Sequence, residues 1–394
     1  MKAELLLHRT GAASSSRDRG FPRLWHFATE YLLALPLGAV LALVWANTDP
    51  ERYFRLVHAA AFLVNDVAMI LFFALITKEI VEATAPGGVL HPWRRAALPV
   101  VASLVTAAVP LALFAVLVHV FDEPMLERGW TAVLAVDIAL GYFVARAIFG
   151  RHPAIAFFLV LAIAANGLGF VALAVVEPIR ETRPAIATGM MAAAVAAAFA
   201  LRRSRVKSLW PYAIVGGGLA WGALFFGGLY PALAPLAVVP FMPHVARDPG
   251  FFVDAPDRAA DPLNRLELWC RHPAQAALFA FGLVNAGMQF RALEAGVWSL
   301  PLAAMAGKPL GLLAGVAIGT SLGLHLPRGV SRRDLIPLGF ISAIGFTMAL
   351  FFATATLGSG QILAELKMGA VVSVAAAILA AAAARMLRVG RFRY

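Results

Sequence analysis

The sequence has little charge and almost no cysteine. Only 14% of its 394 residues are charged and 61% are hydrophobic, against about 25% charged and roughly 45–50% apolar in an ordinary soluble domain. This composition excludes a soluble protein, and 27 Phe and 8 Trp beside so few charges exclude a disordered one. The single cysteine, Cys270, forbids a disulfide within the chain and argues against metal or iron–sulfur sites built from cysteine.

The chain is instead rich in apolar runs, and a helix that spans a membrane needs about 20 such residues. The runs fall at 29–47, 57–80, 96–120, 129–147, 153–176, 184–201, 211–226, 229–245, 273–290, 296–320, 335–357 and 362–385. The weakest boundary is Gly227 and Gly228, which we interpret as a tight turn between two short spans. The sequence therefore predicts an all-α polytopic membrane protein with about twelve transmembrane helices.

These runs define one domain with two short tails. Residues 1–28 form a basic N-terminal tail, 29–388 a single transmembrane domain and 389–394 a C-terminal tail. The first apolar run has the length of a span and lacks a convincing cleavage site, which favours a first helix over a signal peptide. The polar connection 246–271 joins the two halves of the domain.

Basic residues are distributed unevenly over the two sides of this topology. With twelve spans and both termini in the cytoplasm, 24 of the 33 Lys and Arg residues lie inside and six lie outside. This is a strong positive-inside bias, whereas eleven spans would place the Arg-rich C-terminal tail outside. The net charge of +11 therefore indicates cytoplasmic segments beside anionic lipid, and no nucleic-acid motif is present.

Ionisable residues within spans are costly and are candidates for function. Asp137 lies in the middle of an apolar run and indicates a cation or proton carboxylate, or a structural acid in a broken helix. Lys308, between glycine and proline, is either a transport residue or a structural cation that pairs with Asp137 or faces helix-end carbonyls. Because few other partners are available, we predict that Lys308 pairs with Asp137.

The second span carries a further group of ionisable residues. Asp66 either faces a cavity or forms a hydrogen bond between helices. Lys78 and Glu82, which flank Glu79 at the end of this span, are expected at a solvated membrane edge. Lys367 is expected near the interface and not at a site.

Short motifs follow one another along the chain. They are Asn-Asp-Val-Ala at 65–68, Val-Asp-Ile-Ala at 136–139, Asp-Pro-Leu-Asn-Arg-Leu-Glu at 261–267, His-Pro at 272–273, Val-Asn-Ala-Gly at 284–287, Gly-Lys-Pro-Leu-Gly at 307–311, Leu-Pro-Arg-Gly-Val at 326–330, Ile-Gly-Phe-Thr-Met at 344–348 and Leu-Lys-Met-Gly at 366–369. In type and order they resemble the NhaA-type bacterial sodium/proton antiporters, from about residue 28 to residue 388.

The resemblance implies a multi-pass protein of the bacterial inner membrane that exchanges sodium or another monovalent cation for protons. It implies a transporter and not an enzyme, with no cofactor, and with inverted repeats whose broken fourth and eleventh helices cross at the midplane. The residues implied in ion and proton translocation are Asp137, Lys308, Asn166, Ala165 and Thr347; second-helix and pH-response candidates are Asp66, Glu79 and Glu267. A homodimer is left open, because segment 48–56 is short for the hairpin that contributes to dimers in the family.

The chain departs from the family where its chemistry is concentrated. The family has two adjacent aspartates in its fifth helix, whereas this chain has Ala165 and Asn166, which supply no charge and no titratable proton. Further departures are Val136 for a threonine, Glu82 where the family tends to be basic, Leu268 for a histidine and Tyr230 for a histidine.

Two functions therefore remain open. The first is a cation/proton antiporter that uses Asp137 as its remaining carboxylate, and the second is a degenerate homologue that keeps the fold but moves another solute or nothing. The chain has no His-rich metal site, nucleophile motif or phosphate loop to suggest an enzyme. We expect little or no sodium-dependent proton release near neutral pH, and we expect Ala165→Asp combined with Asn166→Asp to restore exchange.

Overall fold

The computed structural model describes residues 34–176, 182–243, 261–289, 296–357 and 360–393. The described residues form helices and short connections and contain no strand. The predicted N-terminal tail, 1–28, lies outside them.

The helices follow the predicted apolar runs, and two of them are broken into halves, labelled a and b. They are α1 (Ala34–Thr48), α2 (Pro50–Thr84), α3 (Trp93–Phe121), α4a (Pro124–Leu134), α4b (Ile138–Phe149), α5 (Ala154–Val176), α6 (Pro184–Arg203), α7 (Leu209–Phe226), α8 (Pro231–Phe241), α9 (Pro262–Asn285), α10 (Gly296–Ser321), α11a (Arg332–Ser342), α11b (Phe346–Leu357) and α12 (Gln361–Phe392).

Most of these helices are suited to cross a membrane. In the described ranges, seven are long and apolar enough, and the count rises to nine when each broken pair is taken as one span. The described parts of α1 and α8 are apolar but shorter, and α9 begins with a charged segment that includes Arg265 and Glu267. Each predicted run thus overlaps a helix or a helix pair, and the all-helical membrane fold is confirmed. The predicted connection 246–271 is too long at its end, because α9 already begins at Pro262, and its residues 246–260 lie outside the described ones.

The turn between α7 and α8 supports twelve segments over eleven. The α7 helix ends at Phe226, and Gly228 has a φ of +69°, a conformation that glycine adopts without strain. The next helical turn begins at Pro231, whose fixed φ suits a helix start. The two glycines therefore separate two helices, as the sequence predicts.

Small residues allow the helices to approach closely. The α10 helix has a glycine at every fourth position along its face on α3, namely Gly307, Gly311, Gly315 and Gly319. A Cβ atom at Gly311 would lie 2.9 Å from the Cα of Thr106, so the two backbones are in direct contact. In the same way, Gly38 of α1 and Gly282 of α9 pack against the backbone of the opposite helix.

The contacts repeat in the two halves of the chain. The α3 helix packs on α5, and α10 packs on α12; α4a contacts α11b, and α4b contacts α11a. This is the pattern expected if helices three to five correspond to helices ten to twelve in an inverted repeat. The two broken helices lie at the centre of this arrangement.

Candidate functional site

The two broken helices meet at their breaks. The halves of α4 are bent by 56° and those of α11 by 47°. The backbone N–H of Asp137, in the first break, donates a hydrogen bond of 2.7 Å to the carbonyl of Ile344, in the second. The predicted crossing of two broken helices is therefore confirmed, and it places four helix ends in a small buried volume.

Asp137 lies between the N-terminal ends of α4b and α11b and is only 1% exposed. Its Oδ1 accepts a hydrogen bond from the N–H of Leu140 at 2.8 Å, and its Oδ2 accepts from the N–H of Thr347 at 3.0 Å and from Thr347 Oγ1 at 2.5 Å. The N-terminal end of a helix carries partial positive charge. One carboxylate thus compensates two helix ends, and Thr347 lies beside it.

Lys308 bonds the C-terminal ends of the other two halves, α4a and α11a. Its ammonium, 1% exposed, donates hydrogen bonds to the carbonyls of Ala135, just past the end of α4a, and of Ser342, at the end of α11a, the latter at 3.0 Å. These are C-terminal ends, which carry partial negative charge.

The predicted pairing of Lys308 with Asp137 is therefore wrong, because no ion pair joins them in the described part of the chain. Each charge is compensated by helix ends that exist only once both helices are broken. The other structural alternative for Lys308, a cation that faces helix-end carbonyls, is the one found in the structure.

Asn166 of α5 forms two hydrogen bonds with the break in α4. Its Oδ1 accepts a hydrogen bond from the N–H of Val136 at 2.9 Å, and its Nδ2 donates to the carbonyl of Val136 at 2.8 Å. Both groups of the side chain are thereby used, including the carbonyl that the sequence offers as an ion ligand. Ala165 is buried beside it, and the sequence has no acid between Arg151 and Glu177.

Ser373 has the corresponding role on α12, although no motif in the sequence singles it out. Its Oγ accepts from the N–H groups of Gly345 and Phe346 at 3.1 and 3.3 Å and donates to the carbonyl of Ala370 at 2.6 Å. Each break is thus held by a polar side chain of the helix that follows it. The inverted repeat is the signal that could have revealed Ser373, once Asn166 is known to hold the first break.

The second-helix candidates fall into two groups. Lys78 is 1% exposed, and its Nζ lies 3.4 Å from Glu79, 2.9 Å from Glu82 and 2.9 Å from Glu267 of α9. The expectation that Lys78 and Glu82 lie at a solvated edge is therefore wrong for Lys78. The start of α9 covers this lysine and supplies a carboxylate, which is a tertiary contact that the local sequence does not reveal.

Asp66 belongs to a different region. It lies in a π-helical turn of α2, Leu63–Ala68, where its carbonyl accepts a hydrogen bond of 2.8 Å from the indole N–H of Trp221. Asp66 also lines a cavity, and Lys367 of α12 lines the same cavity. Asp66 thus lines a cavity and also takes part in a hydrogen bond between helices, so both alternatives for it hold. Lys367, expected near the interface, is partly exposed and lines the same cavity.

Comparison with known proteins agrees with this architecture. A family model described as Na+/H+ antiporter 1 matches residues 27–385, which include both breaks and their surroundings. The chain belongs to the Na+/H+ antiporter 1 family. A protein of this family from Geobacter metallireducens, named Na(+)/H(+) antiporter NhaA, is 37% identical over 372 residues, which cover 92% of this chain and 97% of the relative.

Two further relatives in the Na+/H+ antiporter 1 family give the same result. Na(+)/H(+) antiporter NhaA 1 from Pelobacter propionicus is 39% identical over 376 residues, with 92% of this chain and 97% of the relative covered. Na(+)/H(+) antiporter NhaA from Desulfitobacterium hafniense is 35% identical over 379 residues, with 93% and 97% covered. This member of the family combines the two broken helices with Ala165 and Asn166 beside them.

Proposed function

We propose that this chain exchanges a monovalent cation for protons across the membrane and that Asp137 is the carboxylate that couples the two. The proposal is supported by membership of the Na+/H+ antiporter 1 family and by relatives that are named as sodium/proton antiporters. The observation that carries it is the position of Asp137 between the positive ends of α4b and α11b, with the hydroxyl of Thr347 on its Oδ2.

The chemistry requires one group that binds either a cation or a proton. When a cation displaces the proton from Asp137, release of the proton on the other side couples the two fluxes. The Thr347 oxygen adjoins the carboxylate and supplies a second hard ligand for a small cation. Asn166 holds Val136 in the unwound segment and is thus a positioning residue, not a ligand.

One carboxylate couples one cation to one proton, since residues 165 and 166 supply no second acid. We therefore expect exchange that moves no net charge. The three hydrogen bonds to Asp137 stabilise its ionised form and compete with a cation for its lone pairs, so that exchange is expected to be weak near neutral pH.

A second candidate is a protein that keeps the fold but has lost sodium/proton exchange or moves another solute. The same three hydrogen bonds favour it, because they already occupy most of the lone pairs of Asp137. The two hydrogen bonds between Asn166 and Val136 favour it as well, since a cation at the Asn166 oxygen would compete with the N–H of Val136.

Proteoliposomes that contain a pH-sensitive dye distinguish the two candidates. Sodium, lithium and potassium are added in turn between about pH 6.5 and 9, for the wild type, for Asp137→Asn and for Asp122→Asn, an exposed aspartate that serves as the matched control. We expect slow exchange that is insensitive to an imposed membrane potential, is lost in Asp137→Asn and persists in Asp122→Asn.

Exchange that survives Asp137→Asn would contradict the assignment of the carboxylate, and no exchange with any of the three cations would establish the second candidate. Exchange that is driven by a membrane potential would contradict the one-for-one ratio.

We further propose that the protein lies in the bacterial inner membrane with both termini in the cytoplasm, supported by 24 basic residues on one side against six on the other. A reporter that is active only in the periplasm should be silent when it is fused after Tyr394. We also propose that the protein contacts membrane lipid and can form a homodimer, and cross-linking in membranes tests the dimer.

A further inference from the structure

A cavity of about 340 Å³ lies where the loop between α2 and α3 meets the loop between α10 and α11a. One wall is formed by residues 87–89, His91 and Pro92, and the others by Arg95, in the first turn of α3, and by Arg328 of the second loop. The cavity is distinct from the crossing, because no residue of the two breaks lines it. It lies on the side of the bundle that we propose is cytoplasmic.

Close contacts bring the two loops together. The α10 helix packs on α3 as far as Gly319, where a Cβ atom would lie 2.4 Å from the side chain of Leu98. The loop before α3 folds back on the end of α2, because the N–H of Leu90 donates to the carbonyl of Ala83 at 2.9 Å. The two arginines, which are far apart in the sequence, are thereby held at one cavity.

The cavity is lined by positive groups that lack negative partners. Its ionisable lining residues are His91, Arg95 and Arg328, and none of the lining residues is acidic. Arg95 Nη1 donates to the carbonyl of His91 at 2.8 Å, which orients the guanidinium group and leaves its other N–H groups unused among the described residues. Arg328 forms neither an ion pair nor a side-chain hydrogen bond in the described part of the chain. An anion between the two guanidinium groups would remove their mutual repulsion.

Guanidinium groups favour a particular kind of anion. The planar group carries five N–H donors and can donate two parallel hydrogen bonds to the oxygens of one phosphate group. A halide ion offers no such pair of oxygens and is far smaller than the cavity. The exposed imidazole of His91 adds a further N–H donor at the rim. The donors and the size of the cavity therefore favour a phosphate group over a halide ion.

The cavity lies close to the level of the membrane surface. The α3 span begins at Trp93, which is 68% exposed, and the guanidinium carbon of Arg94 lies 5.7 Å from the centroid of its ring. Exposed tryptophan and arginine at the end of a span are typical of the layer of lipid headgroups. The phosphates of lipids and dissolved phosphate can both reach this level.

We propose that this cavity is a binding site for a phosphate group, carried by an anionic phospholipid or present as dissolved phosphate. The guanidinium groups of Arg95 and Arg328 donate to the phosphate oxygens, and the imidazole of His91 donates from the rim. The bound group joins the loop before α3 to the loop after α10. The site does not depend on the proposed cation exchange at Asp137.

Isothermal titration calorimetry on the purified full chain in a neutral detergent tests the site. The probes are dioctanoyl phosphatidylglycerol and sodium phosphate. Their controls, at equal ionic strength, are dioctanoyl phosphatidylcholine, whose headgroup has no net charge, and sodium chloride. We expect at least one phosphate probe to bind about tenfold more tightly than its control. Tighter binding of phosphatidylglycerol than of phosphate assigns the site to lipid, and the reverse order assigns it to the dissolved anion.

Substitutions at Arg328 distinguish recognition by the guanidinium group from a general effect of charge. We expect Arg328→Gln, which removes both, to weaken binding about tenfold, and Arg328→Lys, which keeps only the charge, to weaken it about threefold. Arg333→Gln is the matched control, because Arg333 is exposed in the first turn of α11a and does not line the cavity. This control should bind as the wild type does.

The inference is overturned if neither phosphatidylglycerol nor phosphate binds at concentrations up to tens of millimolar, or if each binds no more tightly than its control. It is also overturned if Arg328→Gln binds as Arg333→Gln does, and equal affinities of Arg328→Lys and the wild type would contradict recognition by the guanidinium group. Because binding is measured without transport, these results are independent of the exchange assay.

Discussion

The substitution Asn166→Asp distinguishes two roles of this position: holding the break in α4 by hydrogen bonds, and supplying a carboxylate for ion binding. Asparagine both donates to and accepts from Val136, whereas an ionised aspartate can only accept. The carbonyl of Val136 then loses its donor in a buried place and faces a carboxylate oxygen. An unpaired buried acceptor costs about 1–3 kcal/mol, and we expect a loss of that size in the free energy of unfolding, measured as a lower Tm in detergent.

The matched control is Asn47→Asp. Asn47 also donates its amide to backbone carbonyls, those of Leu43 at 2.7 Å and Met288 at 2.9 Å, but the residue is exposed. Water can replace the lost donor there, so the expected change is within about 0.5 kcal/mol. Equal Tm values for Asn166→Asp and the wild type would refute the role of Asn166 in holding the break. The restoring double substitution at 165 and 166 therefore carries a stability cost that its activity assay has to take into account.

Three further predictions follow from particular contacts. Lys308→Met leaves the buried carbonyls of Ala135 and Ser342 without their donor, and we expect a loss of about 1–3 kcal/mol in stability by chemical denaturation; an unchanged midpoint would contradict the role of the ammonium. Gly311→Ala forces a Cβ atom to within 2.9 Å of α3, and we expect a loss of about 1–3 kcal/mol, whereas Gly218→Ala, with nothing within 4 Å, should be neutral or stabilising. Burial lowers the pKa of His152, whose Nδ1 accepts from the N–H of Ala154 at 3.2 Å, despite an opposing effect of Asp334. Because the folded state then binds fewer protons than the unfolded one, stability should fall as the pH drops below about 6.5, and His152→Gln should flatten this part of a Tm-against-pH curve.

The helices were predictable because each depends on a local property of the chain. In a membrane, an apolar run of span length forms a helix because its backbone groups have to bond within the segment, and Gly228, with a positive φ, allows the turn that ends one of them. The breaks are marked locally as well, by Asp137 in one apolar run and by Gly345 in the other. The resemblance added the crossing, which no single run contains.

The partners within the site were harder to predict because they arise from tertiary contacts. The sequence shows Lys308 and Asp137 as two charges in one apolar slab, and it does not show that four helix ends lie between them. Lys367 resembles an interfacial lysine until the structure shows the cavity that it lines together with residues of α2 and α5. In the sequence, Tyr230 is noticeable only as the replacement of a histidine. Only the structure shows that its buried hydroxyl has no hydrogen-bond partner among the described residues.

The glycine contacts described above divide the protein into parts that can and cannot move. Backbones that touch without intervening side chains cannot slide past one another, so α3 and α10 form one rigid block and α1 and α9 another. The cavity beside Asp66 has Asn285 on the second block, whereas Lys367 lies on α12, which packs on α10 of the first block. A shift of one block against the other would therefore change the separation of Asp66 from Lys367 while leaving the hydrogen bonds at the crossing intact.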